Sequence, residues 1–206
     1  NVIFLHADTN DGAGFGVDTV SAGGGDDSIR LEQTRYFPQW SQIFSDYDAD
    51  TNSYLVSGAI DGGAGNDEFV VSINERWFHA GGGYSSEVRW GLDLTQLSMS
   101  NLENLVFANR YNYGLDHIML TASQVASLGA IKGAKALIVM GGGDIDLDHL
   151  ASIGITTWRI GDAQSYNITG TSASDVIAVA EGLLNIDAGA GNDIINIDNA
   201  SNPSNT

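Results

Sequence analysis

Asp67 sits in a nine-residue stretch, Gly62-Gly63-Ala64-Gly65-Asn66-Asp67-Glu68-Phe69-Val70, with glycine at positions one, two and four, aspartate at six and a large apolar residue at eight. These residue types suit one kind of chemistry. Glycines permit the positive-φ bends of a tight turn and leave backbone carbonyls uncovered. The aspartate brings a carboxylate to the same concavity, and carbonyls with a carboxylate are what a hard cation of calcium's size prefers. The last three residues alternate as a short strand does, with Phe69 turned inward. The stretch therefore reads as a metal-binding turn followed by a strand.

Copies of the pattern surround both ends of the chain. Residues 13–21 and 22–30 are consecutive nonapeptides with alanine in place of the first glycine. Near the C-terminus three more abut in frame. Residues 170–178 keep Gly170, Asp175 and Ile177, residues 179–187 keep only Gly182 and Ile186, and residues 188–196 match well, with Asp193 and Ile195 in place. The candidate calcium ligands are therefore Gly14, Gly16 and Asp18; Ala22, Gly23, Gly25 and Asp27; Gly62, Gly63, Gly65 and Asp67; Gly170, Ser172 and Asp175; and Ala188, Gly189, Gly191 and Asp193. The expected interior residues are Val20, Ile29, Phe69, Ile177, Ile186 and Ile195. Three good copies, two of them in frame with weaker ones, exceed what chance gives even in a chain with 26 glycines.

In these motifs the chain resembles the repeats-in-toxin family, the hemolysin-type calcium-binding proteins exported by Gram-negative bacteria. The resemblance implies an all-β, right-handed parallel β-roll or β-helix solenoid, each nonapeptide forming half a coil, with calcium held between turns stacked on the same side. Same-side turns then come from alternate repeats. Asp175 and Asp193 are expected to face one ion together, and Asp27 and Asp67 become neighbours if residues 32–53 loop out.

A length of 206 residues suffices for one substantial domain, and the repeats give no reason to divide residues 1–200. Residues 201–206 have the composition of a linker to a further module. The chain has no cysteine, so for an extracellular protein metal ions are the natural substitute for disulfides. A formal charge of −18 opposes collapse, and the eight Lys and Arg are too scattered for ordinary nucleic-acid binding. No apolar run is long enough to span a bilayer as a helix. A chain that repels itself until calcium arrives suits assembly outside the cell.

The middle of the chain departs from the repeat. Residues 32–53 are rich in aromatics and end in Asp46-Tyr47-Asp48-Ala49-Asp50-Thr51-Asn52, which reads either as a polar turn or as a second type of calcium loop lacking its usual glycine and closing glutamate. Residues 80–85 hold another glycine-rich turn with Ser85 at the aspartate position. Beyond it come short apolar pairs, Leu92 with Leu94, Leu105 with Phe107, Ile118 with Leu120, Leu137 with Val139 and Ile145 with Leu147, as expected of coils of variable length. Thr121-Ala122-Ser123-Gln124 has capping-box spacing and predicts a short helix, and Asp148–Ile153 predicts a second, ended by Gly154. Gly141-Gly142-Gly143-Asp144 reads as a turn entering a strand with its aspartates on the wet face.

Hydrolase signatures are missing, and His6, His79, His117 and His149 lack metal-ligand spacing, so no enzyme is expected. Asp93, Asp146 and Arg159 are the residues to inspect if one exists. Trp40, Trp77, Trp90 and Trp158, with Tyr111 and Tyr113, offer either flat faces for sugar rings or packing for the irregular insertions. The expectation is a calcium-stabilised structural module of a secreted bacterial surface protein, such as a surface-layer protein or adhesin, able to self-associate. A calcium-dependent carbohydrate-binding module, or the accessory roll of a secreted hydrolase, lyase or toxin, is the alternative.

Overall fold

The computed structural model describes residues 1–6, 15–32, 47–48, 53–72, 91–108, 117–134, 136–179 and 182–197. In chain order its first strands are β1 (Val2–His6), β2 (Phe15–Ser21), β3 (Ser28–Glu32), β4 (Tyr47–Asp48), β5 (Ser53–Asp61) and β6 (Glu68–Ser72). Then come β7 (Gly91–Asp93), β8 (Leu97–Ser100), β9 (Asn104–Phe107), β10 (His117–Thr121), helix α1 (Ala122–Ser127), β11 (Ala130–Lys132) and β12 (Leu137–Met140). The last are β13 (Gly143–Asp146), helix α2 (Leu147–Ser152), β14 (Trp158–Ile160), β15 (Ser165–Thr169), β16 (Val176–Val179), β17 (Leu183–Asp187) and β18 (Ile194–Ile197). The fold is all-β with two short helices.

Nearly every pairing is parallel, and, apart from β4 with β5 and β7 with β8, strands that follow one another in the chain fall in different sheets. One sheet runs β1-β3-β6-β9-β11, a second runs β14-β12-β10-β7-β5-β2 with β8 also on β5, and two smaller ladders are β13-β15-β17 and β16-β18. The antiparallel exception is β4 on β5, with Tyr47 opposite Tyr54. The registers carry the repeats into alignment. Ser28 lies opposite Glu68, Ile29 opposite Phe69, and Phe69 opposite Leu105, so equivalent nonapeptide positions stack. Val176 lies opposite Ile194, two nonapeptides further on.

Stacked side chains of like position form one apolar core. Ile29, Phe69, Leu105 and Ile131 continue one row, and Leu92, Ile118 and Leu137 another, all buried. Every expected apolar pair lies in this core, and Tyr166 and Ile168 extend it. Val70, Met119 and Ile138 point the other way yet are 5%, 2% and 3% exposed, so these strands are buried on both faces, as central strands of parallel sheets are. Of the expected interior residues, Ile29, Phe69 and Ile177 are fully buried, while Val20 and Ile186 are half-buried. Ile195 is 44% exposed, against expectation, because β18 has only β16 beside it among the described residues.

Both helices form where their caps are written in the sequence. Thr121 Oγ1 accepts from Gln124 N (3.2 Å), and Gln124 Oε1 accepts from Thr121 N (2.7 Å), completing the capping box of α1. The same Gln124 side chain, buried, donates to Leu94 O (2.8 Å) and Leu97 O (2.7 Å) and so ties the helix to the turn before β8. After β13 the expected strand is shorter than its alternation suggests. Asp146 Oδ1 accepts from Asp148 N (2.9 Å) and His149 N (3.3 Å), so it caps α2 and the chain turns helical at Leu147. Gly154, at φ +93°, ends it.

Candidate metal centre

Residues 22–27 join β2 to β3, and residues 62–67 join β5 to β6. Ser21 is opposite Asp61 and Ser28 opposite Glu68, so the two glycine turns lie one on the other. The expected neighbourhood of Asp27 and Asp67 is present, 40 residues apart in sequence. Backbone bonds lock the turns together: Ala22 N donates to Asp61 O (2.9 Å), Ala64 N to Gly23 O (2.8 Å), Gly25 N to Ala64 O (2.7 Å) and Glu68 N to Asp27 O (2.9 Å). Gly63 shows why glycine is needed. Its φ is +91°, and a Cβ there would run into the carbonyl oxygen of Gly23 in the turn beneath.

The carboxylates form a column. Asp27 N donates to Asp67 Oδ1 (2.7 Å), and Asp67 N donates to Glu103 Oε2 (2.6 Å). Asp27 and Asp67 are 2% and 0% exposed. Asp27 Oδ1 lies 2.8 Å from the Asn1 amino nitrogen, an ion pair without hydrogen-bond geometry, while Asp27 Oδ2 and Asp67 Oδ2 have no hydrogen-bond partner. The basic side chains of the described part are Arg30, Lys132 and Arg159, and none pairs with a carboxylate there; Arg30 Nε donates to Ser28 Oγ. A buried carboxylate oxygen without a donor costs several kcal/mol unless a proton or a cation meets it, on the order of the penalties for orphaned charged groups. The donor set fits a calcium ion: two carboxylates in stacked turns, among carbonyls, with no Lys or Arg side chain of the described residues paired to them. Among the described residues no three His, Asp or Glu side chains converge, so an ion here takes ligands from backbone as well.

The second stack is built alike but loaded differently. Thr169 is opposite Asp187 and Val176 opposite Ile194, which places residues 170–175 against residues 188–193. Asp175 N donates to Asp193 Oδ1 (3.0 Å), repeating the relation of Asp27 to Asp67. Here, however, Asp175 is turned back into its own loop. Thr171 N donates to its Oδ2 (2.7 Å), and Thr171 Oγ1 is 3.1 Å from both carboxylate oxygens. Asp175 and Asp193 are only half-buried. The expected facing pair is thus present as neighbours, but the electrostatic demand for an ion is greater at Asp27 and Asp67. Gly170 and Gly189 make close approaches to Ala188 O and Thr171 O, whereas the Ser172 side chain is exposed at the surface.

Residues 13–21 differ from their expected form. Phe15–Ser21 is strand β2, so Gly16 and Asp18 lie in extended chain rather than in a turn, with a register shift against β5 between Val17 and Thr19; Gly14 lies outside the described residues. Ala13 replaces the first glycine, and apolar Phe15 and Val17 give this copy strand-like alternation. Three acidic positions went unmarked in the sequence. Asp61 Oδ1 accepts from Gly63 N (3.2 Å) and Asn101 Nδ2 (2.7 Å), and Asp187 Oδ1 accepts from Gly189 N (3.1 Å). Their signal was an extended motif, Asp-x-Gly-Ala-Gly-Asn-Asp, common to 61–67 and 187–193. Glu103 had no such signal, because its turn has no glycines. The Asn101 bond holds the Asp61 carboxyl below the usual carboxylate range against its partial desolvation.

Other residues singled out for chemistry have structural partners. Asp93 Oδ1 accepts from Thr95 N (2.8 Å) and Thr95 Oγ1 (2.6 Å), Asp146 caps α2, and Arg159 is exposed. His149 Nε2 lies 3.0 Å from Val125 O. Trp158 packs against the core. Trp40, Trp77, Trp90, Tyr111, Tyr113, His79, the turn at 80–85 and residues 201–206 lie outside the described residues, as does the run 46–52 apart from β4. Compared with known proteins, the chain matches no family model, no curated sequence and no solved structure.

Proposed function

We propose that this chain is a calcium-stabilised structural module of a secreted bacterial surface protein, of the surface-layer or adhesin kind, in which the parallel ladders are faces of one right-handed β-solenoid. One observation carries the reading: two stacked glycine turns bury Asp27 and Asp67 with a carboxylate oxygen on each that no donor meets. An ion ligated there supplies the missing positive charge and ties turns separated by 40 residues of chain. Supporting it are the in-register repeats, a formal charge of −18 that calcium partly neutralises, and the absence of cysteine. The role is mechanical, the ions stiffening a domain that presents or assembles a surface. Among the described residues no helix is long and apolar enough to cross a membrane.

Far-UV circular dichroism during calcium titration of the purified chain tests this, with magnesium as control. A gain of β signal or a rise in melting temperature specific to calcium is expected, and lost in Asp27→Asn. A chain with the same spectrum and melting curve in chelator and in calcium refutes the reading.

A further inference from the structure

The turn above residues 62–67 is short. Only Asn101, Leu102 and Glu103 separate β8 from β9, where six residues separate β5 from β6, and no glycine motif marks it. Its register is nonetheless that of a further turn in the column, with Ser100 opposite Asp61 and Asn104 opposite Glu68. Asn101 makes the bend at φ +51°, and Leu102 is buried in the core. Glu103 takes the place over Asp67 that Asp67 takes over Asp27: in each case the upper carboxylate accepts the backbone N–H of the lower aspartate. A glutamate, one methylene longer, lets a shorter turn bring its carboxylate to the column.

Gly62 defines the space between these two turns. A Cβ on it would meet Asn101 O and also Asp67 Oδ2, the latter at 3.0 Å. The carbonyl oxygen and the carboxylate oxygen therefore face the same point over Gly62. They are close enough for one ion with oxygen ligands at about 2.3–2.6 Å to touch both. Asp67 is 0% exposed and its Oδ2 has no donor, so two oxygens of like partial charge meet beside Gly62 with no hydrogen bond to Oδ2. Glu103, whose Oε2 accepts from Asp67 N (2.6 Å), brings a second carboxylate to the same residue.

We propose that Asp67, Glu103 and the Asn101 carbonyl form a second divalent-cation position, stacked on the one between residues 22–27 and 62–67, in a turn that carries no glycine repeat. Asp67 Oδ2, the oxygen that no donor meets, is then shared by the two positions, while Oδ1 holds Asp27 N. The proposal rests on the calcium reading above and extends it to a turn outside the motif.

Calorimetric calcium titration of the full chain tests it, comparing wild type with Glu103→Gln, which keeps an acceptor for Asp67 N but removes the charge. The expected result is the loss of one equivalent, or at least a tenfold weakening of one class of site, with the remaining equivalents unchanged. Wild-type stoichiometry and affinities in Glu103→Gln overturn the proposal and leave the calcium reading standing; a wild type that takes up no calcium overturns both. Should Glu103→Gln not fold, ¹³C-labelled glutamate in the wild type decides. Of the six glutamate side-chain carboxyl carbons, that of Glu103, assigned through Glu103→Asp, shifts saturably with calcium. A Glu103 signal that does not move overturns the proposal.

Discussion

Substituting Asp67→Asn should change stability in opposite directions with and without calcium. The substituted amide keeps an oxygen to accept from Asp27 N, now bonded to Asp67 Oδ1 at 2.7 Å. It places a donor where Oδ2 stands, beside the Asn101 carbonyl over Gly62. Without calcium the change removes an unpaired buried charge and supplies a hydrogen bond, a gain of about 1–3 kcal/mol by the cost of orphaned buried polar groups. For a chain of this size that is a rise in melting temperature of roughly 2–12 °C. With calcium the sign reverses, because a ligand present at 100 times its dissociation constant contributes about 2.7 kcal/mol to the wild type that a weakened site does not collect. The assay is a pair of melting curves followed by circular dichroism, one in chelator and one in calcium. Sucrose in both arms brings the calcium-free transition into range. A fall in both conditions by the same amount refutes the reasoning, since it makes the aspartate a packing residue and its bare oxygen irrelevant.

The neighbouring turn residues give further tests. Gly63→Ala forces a Cβ against the Gly23 carbonyl at φ +91°, so the left-handed conformation alone costs about 1–2 kcal/mol, and urea unfolding should show the midpoint falling. Asp61 has a lowered folded pKa through the Asn101 bond, so its contribution is present above its unfolded value of 3.8 and is lost as pH falls through the lower folded one. Asn101→Asp sets a like charge 2.7 Å from that oxygen, which should raise the Asp61 pKa and make the variant lose stability relative to wild type as pH rises from acid to neutral, read from urea midpoints across pH. Asn101→Gly, which accepts φ +51°, should keep the bend but lose the effect on Asp61. Gln124→Ala removes the side-chain donor of the Leu97 carbonyl, while Leu94 O keeps the Leu97 N–H (3.0 Å), and should cost about 1–3 kcal/mol, measured by denaturant unfolding.

Much of the local structure was legible because it depends on neighbours in sequence. The capping box at Thr121 and Gln124, the stop at Gly154 and the paired inward residues from Leu92 to Leu147 are short-range patterns, and each appears where its residues predict. The glycine turns at 22–27, 62–67, 170–175 and 188–193 were legible for the same reason. Where the sequence misled, a longer-range contact decided. Residues 15–18 kept the letters of the motif but were drawn into a strand by pairing with β5, and Ile195 kept the inward position but lies on a strand with one neighbour.

The sequence by itself determined the turn chemistry of this protein, its short helices, its alternating strands and its excess of acid, since glycine conformations, caps and side-chain periodicity are properties of a few adjacent residues. Only the tertiary structure decided which carboxylates meet. Asp27 and Asp67 are 40 residues apart, Asp67 and Glu103 36, and all three are stacked by strand register, which no local pattern encodes. Burial then separates equals: the same motif leaves Asp67 sealed with a bare oxygen and Asp175 satisfied by Thr171, because solvent exclusion and donor placement are fixed by what packs above and beside each turn.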